Sequence, residues 1–223
     1  MRTAGSGAPD ARAALEELCR SYWYPLYAYV RRRGHGPEEA RDLVQGFFAR
    51  FLARNYLAEL EDDGGRFRSY LLAALRNHVS NERERERTLK RGGGTVPIEL
   101  ADAEERYARE PLAESTPESL YARKWALAVL ERVLEHLRSE QEAKGRAAHF
   151  ERLRPFLVAD EPGEPLAAVA HDLGLTEVAA RVAVHRLRAR YRELLLAEVC
   201  QTVDRPQDVE AELNELFEAL KSG

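Results

Sequence analysis

The chain has 223 residues, 32% of them charged and 44% hydrophobic, with a formal net charge of −4 at pH 7. No apolar run approaches the roughly 18 residues of a membrane span. The N-terminal MRTAGSGAPDAR lacks the apolar core of a secretory signal, so a cytoplasmic, soluble protein is expected. Helix formers dominate and alternating β-branched runs are scarce, which predicts an all-α chain long enough for two small domains. With acids and bases so nearly balanced, a nucleic-acid surface requires them to be segregated along the chain.

Residues 1–10 read as a disordered lead-in, and a first helical domain is expected over 11–94. From about Ala11 to Arg33 the apolar stripe runs Leu15, Leu18, Cys19, Tyr22 and then Leu26, Tyr27, Val30. Pro25 removes a backbone donor between the two halves and is expected to kink or split the helix. Tyr22, Trp23, Tyr24, Tyr27 and Tyr29 read as core and rim packing in preference to a base-stacking platform. Gly34 to Pro37 is a turn. Pro37 suits the first position of a helix reaching about Arg54, and Glu38 and Glu39 favour its positive end. Ala40, Leu43, Val44, Phe47, Phe48, Phe51 and Leu52 hold helical spacing, which leaves Arg41, Asp42, Gln45 and Arg50 pointing outward. That outer face is either solvated or a docking surface.

Glu61 to Arg66 is a polar, glycine-containing loop, and Phe67 starts a helix with Tyr70, Leu71, Ala74, Leu75, His78 and Val79 inward. Between Arg76 and Arg91 lie six basic residues (Arg76, Arg83, Arg85, Arg87, Lys90, Arg91) against Glu82, Glu84 and Glu86. Alternating signs of this kind usually mark a salt-bridged exposed helix. Asn77 and Asn81, one turn apart, carry side chains able to hydrogen-bond a base edge. Gly92 to Gly94 ends the run, with no following Lys-Thr or Lys-Ser to make a phosphate-binding loop. Residues 95–117 then read as an acidic, poorly periodic linker containing Pro97, Pro111 and Pro117.

A second domain is expected over 118–200, opening with a long helix from about Pro117 to Glu142, followed by another near His149 to Val158. Residues 165–192, PLAAVAHDLGLTEVAARVAVHRLRARYR, are its most informative stretch. Leu166, Val169, Ala170 and Leu173 share one face of a short helix. Gly174 stops it where a left-handed residue is wanted, Leu175 follows as an apolar plug, and Thr176 caps a second helix. Val178, Val182, Leu187 and Tyr191 are expected inward; Arg181, His185, Arg186, Arg188, Arg190 and Arg192 occupy the other face, with no acid until Glu193. Such a hairpin has the design of a helix-turn-helix for the DNA major groove, although a charged helix face is commonly only solvated. Residues 201–223 end in an acidic amphipathic helix, Pro206 to Lys221, whose stripe of Val209, Leu213, Leu216, Phe217 and Leu220 is expected to pack on its own domain.

Cys19 and Cys200 lie far apart among apolar neighbours and read as reduced and buried, in keeping with a cytosol. The six histidines are scattered without an HExxH pair, and two distant cysteines make no zinc site of standard spacing. No catalytic constellation is visible, so the chain reads as a non-enzyme with no metal and no cofactor.

Two helical domains, a basic helix closing the first, an acidic tether and a C-terminal helix-turn-helix together resemble the sigma-70 family. More narrowly, the chain is similar to the two-domain extracytoplasmic-function sigma factors. PEEARDLVQGFFARFL resembles the helix with which sigma domain 2 grips the β′ coiled coil of RNA polymerase. RFRSYLLAALRNHVSNERER is similar to the helix that follows it, and LAAVAHDLGLTEVAARVAVHRLRARYRELL to the domain 4 helix-turn-helix. The match covers about Leu15 to Val199.

The resemblance implies that Asp42, Leu43, Gln45 and Arg50 contact the polymerase. It implies that the Glu61 to Arg66 loop, with Arg68, Ser69, Arg76, Asn77, Asn81 and Arg83, captures the promoter −10 element. Thr176, Glu177, Ala180, Arg181, His185, Arg186 and Arg188 would meet the −35 element. Core RNA polymerase (β′ coiled coil and β flap), promoter DNA and an anti-sigma or other regulatory protein are the implied partners, and the linker would follow the RNA-exit path. Three features depart from the family pattern. Gly46 stands where a glutamate is common, the basic run is interleaved with glutamates, and the helix from Pro206 exceeds the two-domain plan. The alternative on residues alone is a helix-turn-helix regulator that never joins the polymerase, or an adaptor whose hairpin docks protein.

Overall fold

A computed structural model of the chain describes residues 9–53, 66–86, 100–110, 116–158 and 163–221. Among these the regular structure is helical throughout: α1 (Pro9–Arg32), α2 (Pro37–Ala53), α3 (Phe67–Glu86), α4 (Leu100–Ala108), α5 (Pro117–Ala143), α6 (Ala147–Leu153), α7 (Leu166–Asp172), α8 (Glu177–Cys200) and α9 (Val209–Lys221). Short 3₁₀ turns sit at Arg154–Leu157 and Pro206–Asp208. No helix among the described residues is long and apolar enough to cross a membrane. The loop at 61–65 and the triple glycine at 92–94 lie outside the described residues, as do the side chains of Leu15, Leu18 and Cys19.

The chain divides into two units. One comprises Met1–Ala128 together with Val199–Gly223, the other Val129–Glu198. The boundaries therefore fall inside α5 and near the end of α8, away from the 95–117 segment expected to separate domains.

In the first unit α1 packs on α2, α2 on α3, and α4 on both α1 and α2. Pro25 lies inside α1, which runs through it as one helix, so of the expected kink or split the split does not occur. The missing hydrogen bond is offset by packing on both sides, because Tyr22, Trp23, Tyr24, Leu26, Tyr27 and Tyr29 are all buried. Those aromatic rings are core, with Trp23 stacked on Tyr27 at 5.0 Å and the Trp125 Nε1–H donating to the Tyr22 hydroxyl at 3.0 Å.

The acidic segment expected as a linker is, over Leu100–Ala108, a helix. Ala103 and Tyr107, four residues apart, are its buried face. One of its carboxylates is structural: Glu104 accepts from Arg31 Nε at 2.7 Å and from the Tyr27 hydroxyl at 2.6 Å. The Arg31 hydrogen bond holds the Glu104 carboxyl below its usual range. Glu110 accepts from the Tyr24 hydroxyl at 3.1 Å and pairs with Lys124.

The C-terminal segment also belongs to this unit. The Phe67 N–H, an orphan donor at the start of α3, donates to the Thr202 carbonyl at 3.0 Å. In α9, Val209 and Leu216 are buried as expected, Phe217 is exposed, and Glu212 is buried in the middle of the apolar stripe. Cys200, expected buried, is exposed.

Gly46 in α2 has a local explanation. A Cβ there would lie 3.5 Å from His78 Nε2, ordinary van der Waals contact, so alanine fits without displacing the ring. Gly46→Ala is expected to stabilise this unit by about 0.5–1 kcal/mol through helix propensity. Thermal melting checks it, and a lowered midpoint would mean that His78 needs the open side.

The second unit encloses a core of Leu137, Phe150, Leu153, Phe156, Val169, Val184 and Leu187. α5 ends at Ala143 and is closed by Gly145, which has φ 66°, with the Gly145 N–H on the Glu142 carbonyl at 2.9 Å and the Arg146 N–H on Gln141 at 2.8 Å. This paired closure satisfies orphan carbonyls and turns the chain into α6.

Candidate nucleic-acid interface

The hairpin of α7 and α8 is built as its residues predict. Val169 and Ala170 are buried, with Leu166 and Leu173 packed against the same core. Gly174 has φ 65°; its N–H donates to the His171 carbonyl at 3.0 Å, and the Leu175 N–H to Ala170 at 2.8 Å. These two bonds close α7 in the left-handed manner that favours glycine. Thr176 Oγ1 then accepts the Ala179 N–H at 3.2 Å, capping α8.

Over its first half the buried stripe of α8 is Ala180, Val184 and Leu187, with Tyr191 half-buried and Leu195 and Val199 buried further on. This corrects two expectations. Ala180 is 0% exposed, so it is a core contact and presents nothing to a groove. Val178 and Val182 are 71% and 43% exposed, where they were expected inward. From Val182 to Leu187 is five residues, about 140° off a common face at roughly 100° per residue; Ala180, Val184, Leu187 and Tyr191 keep the period.

The basic residues of α8 separate into two sets. Arg188 Nε donates to the Phe156 carbonyl at 2.9 Å. Arg190 binds Glu140 Oε1 at 2.6 Å and Glu193 Oε2 at 2.7 Å, which pushes its pKa up. Both arginines therefore brace the unit, Arg188 while remaining partly exposed. Thr176, Glu177, Arg181, His185, Arg186 and Arg192 are exposed, and Arg181 pairs with Glu177 one turn back at 2.5 Å. That pair sits on an exposed helix surface, where such contacts are weak and easily exchanged. The exposed face of α8 thus carries cations and two valines side by side.

In the first unit the residues expected to meet the polymerase are divided. Asp42 is exposed, Leu43 lies in the core, and Gln45, expected outward, is only 6% exposed. Arg50 Nη2 pairs with Glu82 at 2.7 Å, and its Nη1 lies 3.3 Å from His78 Nδ1. The helix period places Gln45 beside the buried Val44 and Phe48, and its polar side chain hid that position in the sequence.

The residues expected at the −10 element are divided too. Ser69, Asn77 and Asn81 are exposed on α3. Arg76 is also exposed, with its Nε on the Tyr29 hydroxyl at 2.9 Å and a further bond to Glu118. Arg66 and Arg68 are occupied. Arg68 Nε donates to Glu212 Oε1 at 2.7 Å, its guanidinium lies 4.6 Å over the Trp125 ring, and both arginines reach Glu215. Arg68 is therefore a structural cation in this unit. The side chain of Arg83 lies outside the described residues. Sequence reasoning missed Glu212 because a glutamate in an amphipathic acidic helix reads as solvated.

No protein-family model, curated protein or solved structure matches this chain. What its surface can do therefore follows from its own geometry. A capped helix entering from a tight turn, with Arg181, His185 and Arg186 exposed near its start, matches the shape and charge that a major groove accepts.

Proposed function

We propose that the chain is a dissociable initiation subunit of the sigma type, which binds core RNA polymerase and brings α8 to promoter DNA. The observation that carries this reading is the closed α7–α8 hairpin with its exposed Arg181, His185 and Arg186. The exposed row of Ser69, Asn77 and Asn81 on α3 supports a second contact with DNA in the first unit. Held by one polymerase, the two contacts become effectively intramolecular, so neither needs high affinity alone.

A second reading is favoured by a different observation. Leu43 and Gln45 are buried, which leaves less of α2 for a β′ coiled coil than the family pattern implies. A helix-turn-helix regulator that acts without the polymerase would need none of that face.

Gel filtration of the purified chain with bacterial core RNA polymerase, with and without excess β′ coiled-coil fragment, separates the two. Co-elution competed away by the fragment supports the sigma reading; no association, together with tight duplex binding by the free chain, leaves the regulator. Within the first reading, Arg186→Ala is expected to reduce transcription from the cognate promoter by about 1–3 kcal/mol of recognition energy while core binding persists. Loss of core binding in that variant would overturn the assignment of Arg186 to DNA.

A further inference from the structure

We propose that Val178 and Val182 read thymine 5-methyl groups in the major groove. The assignment rests on the reading that α8 enters duplex DNA, and it names specificity residues that charge alone would not identify. Three observations carry it. First, these side chains are not among the buried core residues: Ala180, Val184 and Leu187 are buried in the same turns of α8, while Val178 and Val182 stand 71% and 43% exposed. Second, valine is a poorer helix former than the alanine, glutamate or arginine that occupy most other solvated positions of α8, so two exposed valines one turn apart weaken the helix while neither is buried in the core. Third, their neighbours on the exposed face are Arg181, His185 and Arg186, so the partner that covers them is a polyanion with apolar points inside it.

Duplex DNA meets that description in one place. Its backbone supplies the negative charge, and the only apolar group on a base edge in the major groove is the thymine methyl. Guanidinium contacts from Arg181 and Arg186 to guanine or phosphate would fix the register in which the valines meet those methyls. Val178 and Val182 are separated by about 6 Å along the helix, and base steps by about 3.4 Å along a strand. The two methyls are therefore expected about two steps apart.

The test starts from the full chain, both free and loaded on bacterial core RNA polymerase. Each form selects retained duplexes from a random-sequence library, against core polymerase alone. Each thymine of the enriched duplexes is then replaced by deoxyuridine, which deletes the methyl and nothing else. Removal of one contacted methyl is expected to weaken wild-type binding about threefold to fourfold. In Val178→Ala and Val182→Ala the same replacement is expected to have no effect at the position each residue reads. Both valines are exposed, so an unchanged melting transition in the variants keeps folding out of the comparison. Wild-type indifference to deoxyuridine, or equal sensitivity in wild type and variants, would overturn the valine assignment while leaving DNA binding intact. No enrichment by either form above core polymerase alone would remove the reading of α8 itself, and the valine assignment with it.

Discussion

Replacing Glu212 with alanine is expected to lower the stability of the first unit by about 3 kcal/mol. The Glu212 carboxylate is 0% exposed, accepts from Arg68 Nε at 2.7 Å and Nη2 at 3.2 Å, and lies 3.1 Å from Arg66 Nε. Arg68 is itself 9% exposed beneath α9 and above the Trp125 ring, so water cannot take the place of the missing carboxylate. Breaking a buried pair from one side typically costs about 3–5 kcal/mol, because the remaining charge stays desolvated. The half-exposed Glu215 still reaches both arginines, which places the loss at the lower end. Glu215→Ala should cost about 1 kcal/mol or less, since that carboxylate is already solvated.

Removing both charges at once, as in Arg68→Met with Glu212→Leu, should recover most of the stability lost by the single change. Urea unfolding followed by tryptophan fluorescence measures all of these in the relevant unit, because both tryptophans of the chain, Trp23 and Trp125, belong to it. Equal losses for Glu212→Ala and Glu215→Ala would contradict the buried-pair account.

A second large effect is expected at Phe150→Ala, about 3–5 kcal/mol in the second unit. Phe150 is fully buried on α6 and packs in the core that also holds Val169 of α7 and Val184 and Leu187 of α8. Truncation to a methyl leaves a cavity under the hairpin, and the helices around it can close only part of that space. A unit of this size has a total stability on the order of 5–10 kcal/mol, so the hairpin would open far more often. Amide hydrogen exchange read separately for α7 and α8 should therefore accelerate sharply. Protection equal to wild type would show that Phe150 contributes less to holding the hairpin than its burial implies.

Where one physical signal dominated, the sequence was easily read. The α7–α8 turn is a case in point: Gly174 is needed for its positive φ, Thr176 for its cap, and Val169 and Ala170 for their spacing. Where two signals compete, apolar character masks helical angle. Val178 and Val182 are strongly apolar and by character alone belong in the core, yet the smaller Ala180 holds the angle that faces it. Pro25 predicts a break only if its neighbours have nothing to gain by continuing, and the aromatic residues on either side gain a great deal.

The acidic segment at 100–110 looked like a tether because carboxylates suggest solvent. Glu104 and Glu110 instead face Arg31, Lys124 and two tyrosine hydroxyls contributed by distant parts of the chain. The same holds for Arg66 and Arg68, whose partners lie more than 140 residues downstream, |i−j| 144 for Arg68 and Glu212. No local pattern announces a partner at that distance.

That separation also sets an order of events during synthesis. Domains generally fold as units as the chain emerges, N-terminal parts first. Here every residue of Val129–Glu198 leaves the ribosome before Glu212 does, while the unit that starts the chain needs Glu212 for its buried Arg68 and Thr202 for the first amide of α3. The hairpin-bearing unit can thus complete its core while the earlier-made unit still holds an unpaired arginine. In the nascent chain, what is translated first is finished last.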